Sequence, residues 1–203
     1  MLVTLHAQGK LFEPFAFLNH GSSNSLISKS AADALGLRGP VSPLCIKWTD
    51  DSVQEYEGSQ RVGFKISGNN KSTFQMKNVR TVEKLALPCQ SLDYGELQKD
   101  FHHLKGLPIQ GYTEARPTLL IGLDHPRLLT PTKHRMNNSG LVAAKTPLGW
   151  VIYGKTDSTQ KAVYTCVIEE PESLREEIRK YFSTEEFGVK DTIMGANETE
   201  PSR

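Results

Sequence analysis

Cysteine is scarce: Cys45, Cys89 and Cys166 are the three in 203 residues. An odd number of widely spaced thiols suits neither a disulfide framework nor paired zinc ligands, so all three are expected to be reduced and structural. No apolar run approaches the roughly 20 residues that span a bilayer, and no membrane partner is expected. The first ten residues lack a basic stretch followed by an apolar core and a small-residue cleavage site, which predicts a cytoplasmic chain. In that compartment the Asn-x-Ser/Thr triplets at Asn70, Asn137 and Asn197 read as chance. Charge of one sign is lacking too. The 24 basic and 23 acidic residues leave a net +1, without the concentrated basic surface that phosphate binding needs, so direct nucleic-acid binding is not expected. Nucleotide and metal motifs are absent, and neither a cofactor nor a metal is expected.

What is present fits a globular protein, with 37% hydrophobic and 23% charged residues. The length suits one ordinary domain plus an appendage. Short apolar segments at Leu2-Val3-Thr4-Leu5 and Phe15-Ala16-Phe17-Leu18 predict an opening hairpin around Gly9-Lys10. Residues 28–37 combine a Ser start, Ala-rich helical spacing and Gly36 near a stop, which predicts one short helix. Alternation at residues 44–48 and again at 61–66, across the polar run 49–60, predicts a single long hairpin with an exposed tip. Residues 91–104 read as a weak helix and residues 106–117 as a Gly- and Pro-rich loop. Thr118-Leu119-Leu120-Ile121-Gly122 is continuously apolar, the pattern of a strand buried on both faces. Residues 140–145 and 149–154 predict another hairpin. Many short strands and one or two short helices indicate an all-β barrel or sandwich. Composition turns polar after Gly154, so a domain over residues 1–155 is expected, followed by a polar linker over 156–203. In that linker Leu174, Ile178, Tyr181 and Phe182 mark a short amphipathic helix.

Ala16-Phe17-Leu18-Asn19-His20-Gly21-Ser22 is an apolar strand that delivers a polar residue into a tight turn, with Gly two positions later. Aspartic peptidases place Asp at the position of Asn19: the strand fixes the carboxylate, Gly21 permits the turn and the Ser22 hydroxyl can hydrogen-bond it. Two such loops face each other, and their carboxylates share a proton because like charges about 3 Å apart cannot both ionise. Only one such loop is present here, so a homodimer would have to supply the second. The loop alone is a weak signal. Together with the helix, the long hairpin and Leu119-Leu120-Ile121-Gly122-Leu123-Asp124, it follows the retropepsin order of loop, flap and second supporting strand.

The chain resembles the peptidase region of Pao/BEL retrotransposon polyproteins, which carries a Leu-Asp-x-Gly-Ser loop, a Leu-Leu-Ile-Gly-x-Asp strand and a Lys-Thr-x-Leu-Gly-Trp-Val motif. The second motif is matched by residues 117–124, and the third by Ala144-Lys145-Thr146-Pro147-Leu148-Gly149-Trp150-Val151-Ile152-Tyr153-Gly154. The resemblance covers residues 2–154 and continues weakly through 178–189, similar to the linker before the reverse transcriptase. It implies a closed acid-protease barrel that dimerises about a two-fold axis, binds an extended peptide under its flaps and cuts a polyprotein. The first motif departs at its key residue. Asn19 has no carboxylate to take a proton from water, so catalysis is expected to be impaired and a non-catalytic peptide-binding or structural remnant is the alternative.

Several other residues admit a chemical and a plain reading. His20 lacks a neighbouring nucleophile and orienter, and Ser22 lacks the Gly-x-Ser-x-Gly elbow of a serine hydrolase, so turn roles are expected for both. His102 and His103 beside Asp100 lack the one-face spacing of metal ligands. Asp124 is expected to cap the helix opened by Pro126, and Trp150 to pack.

Overall fold

The computed structural model describes residues 1–48, 52–69, 72–137, 140–154 and 166–169. The linker helix expected within 156–203 lies outside them. Strands dominate and helices are few, so the fold is all-β.

The principal sheet has seven strands. β1 (Thr4–Ala7) turns back at Gln8 and Gly9 into β2 (Lys10–Phe12), pairing Leu5 with Phe12. Both turn residues have positive φ, 48° and 74°, the geometry that matches the twist of a two-residue hairpin. The opening hairpin therefore closes before Phe15. Segment 15–18 meets the start of the chain through a Leu2–Phe15 bridge and hydrogen bonds exchanged between Met1 and Ala16, and its strand β3 (Ala16–Leu18) takes its ladder partner elsewhere.

β4 (Leu26–Ser28) leads directly into α1 (Lys29–Ala34). The Ser28 side chain caps α1 by accepting from the Ala31 N–H, and Ala31 and Ala32 are buried beneath it. The single long hairpin expected across the polar run 49–60 is instead two hairpins. β5 (Leu44–Trp48) pairs with β6 (Val53–Tyr56), which lies inside the polar run, while β7 (Arg61–Ser67) pairs with β8 (Thr73–Val82). β7 alternates as its sequence indicates: Val62, Phe64 and Ile66 are buried and the residues between them exposed.

The weak helix resolves into β9 (Gln90–Leu92), α2 (Tyr94–Asp100) capped by Asp93, and a 3-10 turn at His102–Leu104. The expected loop after it contains a strand, β10 (Tyr112–Ala115), antiparallel to β9. β11 (Leu119–Ile121) is buried at every residue. α3 (Pro126–Leu129), β12 (Lys133–Met136), β13 (Val142–Thr146) and β14 (Gly149–Tyr153) follow, the last three forming one antiparallel sheet. Beyond residue 155, β15 (Cys166–Glu169) pairs with β5, and the compact unit runs from Met1 to Glu169.

The principal sheet is ordered β2-β1-β7-β8-β4-β11-β3. Its two faces bury different side chains because successive strand residues point to opposite sides. Leu119 and Ile121 join Leu5, Ile27, Ile66, Met76 and Leu35 in one core. Leu120 and Leu26 turn the other way, into a second core with Leu44, Ile46, Val82, Leu85 and Leu87. A third cluster of Leu104, Leu107, Leu141 and Ala143 underlies α2 and takes Trp150 against it, the packing role expected for that residue.

Candidate active site

β3 lies at one end of the sheet and runs parallel to β11, with Ala16, Phe17 and Leu18 opposite Leu119, Leu120 and Ile121. On its other side β11 pairs antiparallel with β4, Leu120 opposite Leu26. The strand carrying the polar loop is thus held by the same apolar run that holds the strand leaving it. Asn19, the first residue past β3, continues the ladder: its N–H donates to the Ile121 carbonyl at 2.9 Å. Its side chain is buried, at 8% exposure.

The loop then closes on itself. Asn19 Oδ1 accepts from the Gly21 N–H at 2.9 Å, an Asx-type turn that fixes the amide. The Ser22 N–H donates to the Asn19 carbonyl at 3.4 Å, and the wholly buried Ser22 hydroxyl donates to the Asn24 carbonyl at 2.8 Å. The Ser22 carbonyl in turn accepts from the Leu123 N–H at 2.8 Å, tying the loop to the segment after β11. Gly122 sits in the tightest part of this junction. A Cβ there would stand 2.5 Å from the Asn24 carbonyl oxygen and 2.8 Å from that of Ser22, so only glycine lets the two segments touch.

Asp124 does not cap α3, whose N-cap is His125 without a side-chain bond. Its carboxylate instead grips Ser25. Oδ1 accepts from the Ser25 hydroxyl at 2.6 Å and Oδ2 from the Ser25 N–H at 2.9 Å, while His125 Nδ1 stands 3.0 Å from Oδ1. The Lys77 N–H donates to His125 Nε2 at 3.2 Å, which puts the ring proton on Nδ1, facing Asp124 and the Ser25 hydroxyl. Ser25 also accepts from the Gly122 N–H at 3.0 Å. Burial pushes the Asp124 carboxyl up, but hydrogen bonds from His125 and Ser25 outweigh it and hold the group below its ordinary value. Ser, His and Asp stand together here, yet the hydroxyl is wholly buried and its hydrogen is directed at the carboxylate, not at the imidazole. That is a pin, not a nucleophile. Nothing local in the sequence distinguishes Ser25 from Ser22 or Ser23; its partner lies 99 positions away.

The remaining candidates separate. His20 is exposed and meets Tyr153 edge-on, with ring centroids 6.5 Å apart, which brings the third motif beside the loop. His102 is exposed, while His103 lies within hydrogen-bonding distance of the Leu141 carbonyl, 3.1 Å away. Among the described residues, no group of three His, Cys, Asp or Glu side chains is placed to hold a metal ion, and no helix is long and apolar enough to cross a membrane. A cavity of about 330 Å³ borders β3, lined by Phe15, Phe17, Leu18, Tyr112, Trp150 and Tyr153 among others. Arg80, which the sequence does not single out, is 8% exposed and donates to the carbonyls of Ser42 and Pro43, the latter at 2.7 Å. Comparison of the chain with protein-family models and with curated proteins gives no match.

Proposed function

We propose that this domain is the retropepsin-like aspartic peptidase of a Pao/BEL-type retrotransposon polyprotein, with its catalytic aspartate replaced by Asn19 and with peptide binding as its residual activity. The observation that carries the reading is the seat of Asn19: past the end of β3, bound through its N–H to Ile121, with its side-chain oxygen held by the Gly21 N–H. An aspartate in that seat would keep the same acceptor bond and leave its second oxygen for the shared proton. The order loop, α1, hairpins, β11 and α3 supports the same reading, as does the placement of Tyr153 beside His20.

In this reading two copies meet about a two-fold axis in the cytoplasm, each contributing one loop, and an extended peptide lies beneath the β5–β6 hairpins. The chemistry of an active relative requires water and two carboxyl groups. Here both positions are amides. No shared-proton pair forms, so water is not activated, and the scaffold binds without cutting.

The test is digestion of a peptide library by the purified chain and by Asn19→Asp across mildly acidic pH, with a pepstatin-type inhibitor as control. The unmodified chain should be silent and Asn19→Asp should cleave in an inhibitor-sensitive way. Inhibitor-sensitive cleavage by the unmodified chain would overturn the inactive reading. Silence from a folded, dimeric Asn19→Asp would count against the dyad assignment.

A further inference from the structure

β5 is fixed on one face and at its root. Leu44 and Ile46, at 3% and 1% exposure, are sunk among Leu26, Leu85, Leu87 and Leu120. At the root, the guanidinium of Arg80 holds the carbonyls of Ser42 and Pro43, and the Ser42 N–H donates to the Ser59 carbonyl at 2.7 Å. On one side β5 carries β6, with Leu44 opposite Tyr56 and Lys47 opposite Val53. A strand held this firmly presents its other edge as a row of aligned N–H and C=O groups, so an incoming segment alone bears the entropy of ordering.

That edge is taken by β15, antiparallel and in register from Cys166 opposite Trp48 to Glu169 opposite Cys45. β15 spans four residues and, among the described residues, pairs with β5 alone. A ladder so short and one-sided is marginal by itself. Exposed edges of this kind recruit other strands unless covered, and β15 is the cover.

We propose that the edge of β5 opposite β6 is a strand-addition site for extended peptides rich in β-branched residues, and that Cys166–Glu169 fills it in cis as a displaceable plug. The inference goes beyond the peptidase reading and does not depend on Asn19, since backbone pairing on β5 needs no dyad. The plug's own Val167-Ile168 defines the ligand class: two adjacent β-branched residues favour the extended conformation before binding.

The test compares the full chain with the double variant Val167→Pro/Ile168→Pro. Successive strand residues alternate the direction of their N–H groups, so one of the two prolines removes a ladder donor whichever phase the pairing adopts. Hydrogen exchange at the β5 amides facing β15 should accelerate roughly tenfold or more in the variant. A labelled synthetic peptide, Thr-Ser-Val-Ile-Glu-Glu, reproducing residues 165–170 with Ser for Cys166, should bind the variant at least about tenfold more tightly than the parent, because a filled edge must first be vacated. Its Pro-Pro counterpart should not bind. Unchanged β5 protection in a variant whose Leu119–Ile121 amides stay protected would overturn the plug, and equal peptide affinity for parent and variant would do the same. If the variant loses the Leu119–Ile121 protection as well, the unmodified chain decides. Excess peptide should then deprotect residues 166–169 while β5 stays protected, and no change at 166–169 overturns the proposal. None of these outcomes bears on whether Asn19→Asp restores hydrolysis.

Discussion

The Ser25 hydroxyl donates to Asp124 at 2.6 Å and the Ser25 N–H donates to the other oxygen of the same carboxylate at 2.9 Å, joining the chain where it leaves the polar loop to the segment that follows β11. Replacing either residue unfastens this junction. Asp124→Asn offers one acceptor oxygen where two are used, and Ser25→Ala leaves a half-buried carboxylate short of a donor. Each should lower stability by about 1–3 kcal/mol in urea titrations at neutral pH.

The same carboxylate gives the fold a pH dependence of definite sign. Burial acts to raise the Asp124 pKa, yet the bonds from His125 and Ser25 prevail and its folded value lies below the ordinary 3.8. A depressed carboxyl stabilises the fold above its unfolded pKa, and the contribution is lost as pH falls through the folded one. The urea midpoint should therefore decline below about pH 4, and Asp124→Asn should remove that component of the decline. Parallel pH profiles for parent and variant would contradict the assignment.

Asn19 separates chemistry from architecture. Asn19→Ala deletes the acceptor for the Gly21 N–H and should cost about 1 kcal/mol. Asn19→Asp retains an acceptor oxygen and should be destabilised less than Asn19→Ala at mildly acidic pH, where the buried carboxyl need not carry a charge. Equal destabilisation by both would mean that the amide N–H₂, not its oxygen, holds the loop.

Gly122→Ala should be among the costliest single-methyl additions in the domain. The new carbon would meet backbone oxygens of Asn24 and Ser22 at 2.5 and 2.8 Å, and backbone moves less readily than a side chain. A loss of about 3 kcal/mol or more is expected in thermal unfolding, from overpacking. A variant as stable as the parent would show that loop and strand can part without penalty.

Arg80 donates to two main-chain carbonyls and to Ser59 Oγ from a buried site; burial first, and Arg61 second, pull its pKa below the usual arginine value. Arg80→Lys supplies a point donor in place of a fork, so it should rescue little of what Arg80→Ala loses, about 2–3 kcal/mol. Chemical denaturation of the three proteins side by side checks this. Full recovery by lysine would reduce the role of Arg80 to its charge.

What could be read in advance divides along physical lines. β11 and α1 were legible because each announces itself locally: Leu119-Leu120-Ile121 holds nothing polar to turn outward, and Ser28 caps a run of small helix formers. β6 was not. Its Val53, Gln54 and Glu55 are all exposed, so no alternation marks it, and its pairing with β5 comes from proximity along the chain. β10 hid among glycines and prolines, with Glu114 at a φ of 48° interrupting its register. Pro126 two residues on makes a helix cap the local expectation for Asp124. A carboxylate beside a helix start has that local use, and its tertiary competitor, Ser25, cannot be seen from nearby sequence. The polar loop of Asn19 was conspicuous, whereas the pin that steadies it was silent.

The parallel pairing of β3 with β11 also sets an order of assembly. Apart from contacts of its first residues with Met1 and Leu2, β3 pairs along its length with β11, which is synthesised about a hundred residues later. While the chain is emerging, β1, β2, β7, β8 and β4 can pair as their neighbours appear, but the slot between β4 and β3 stays vacant until residue 121 is available. Closing a loop of that length carries the entropic penalty that slows non-local sheets. Residue 19 is made early and seated late, so the candidate centre is the part of the sheet that a truncated or stalled nascent chain would lack.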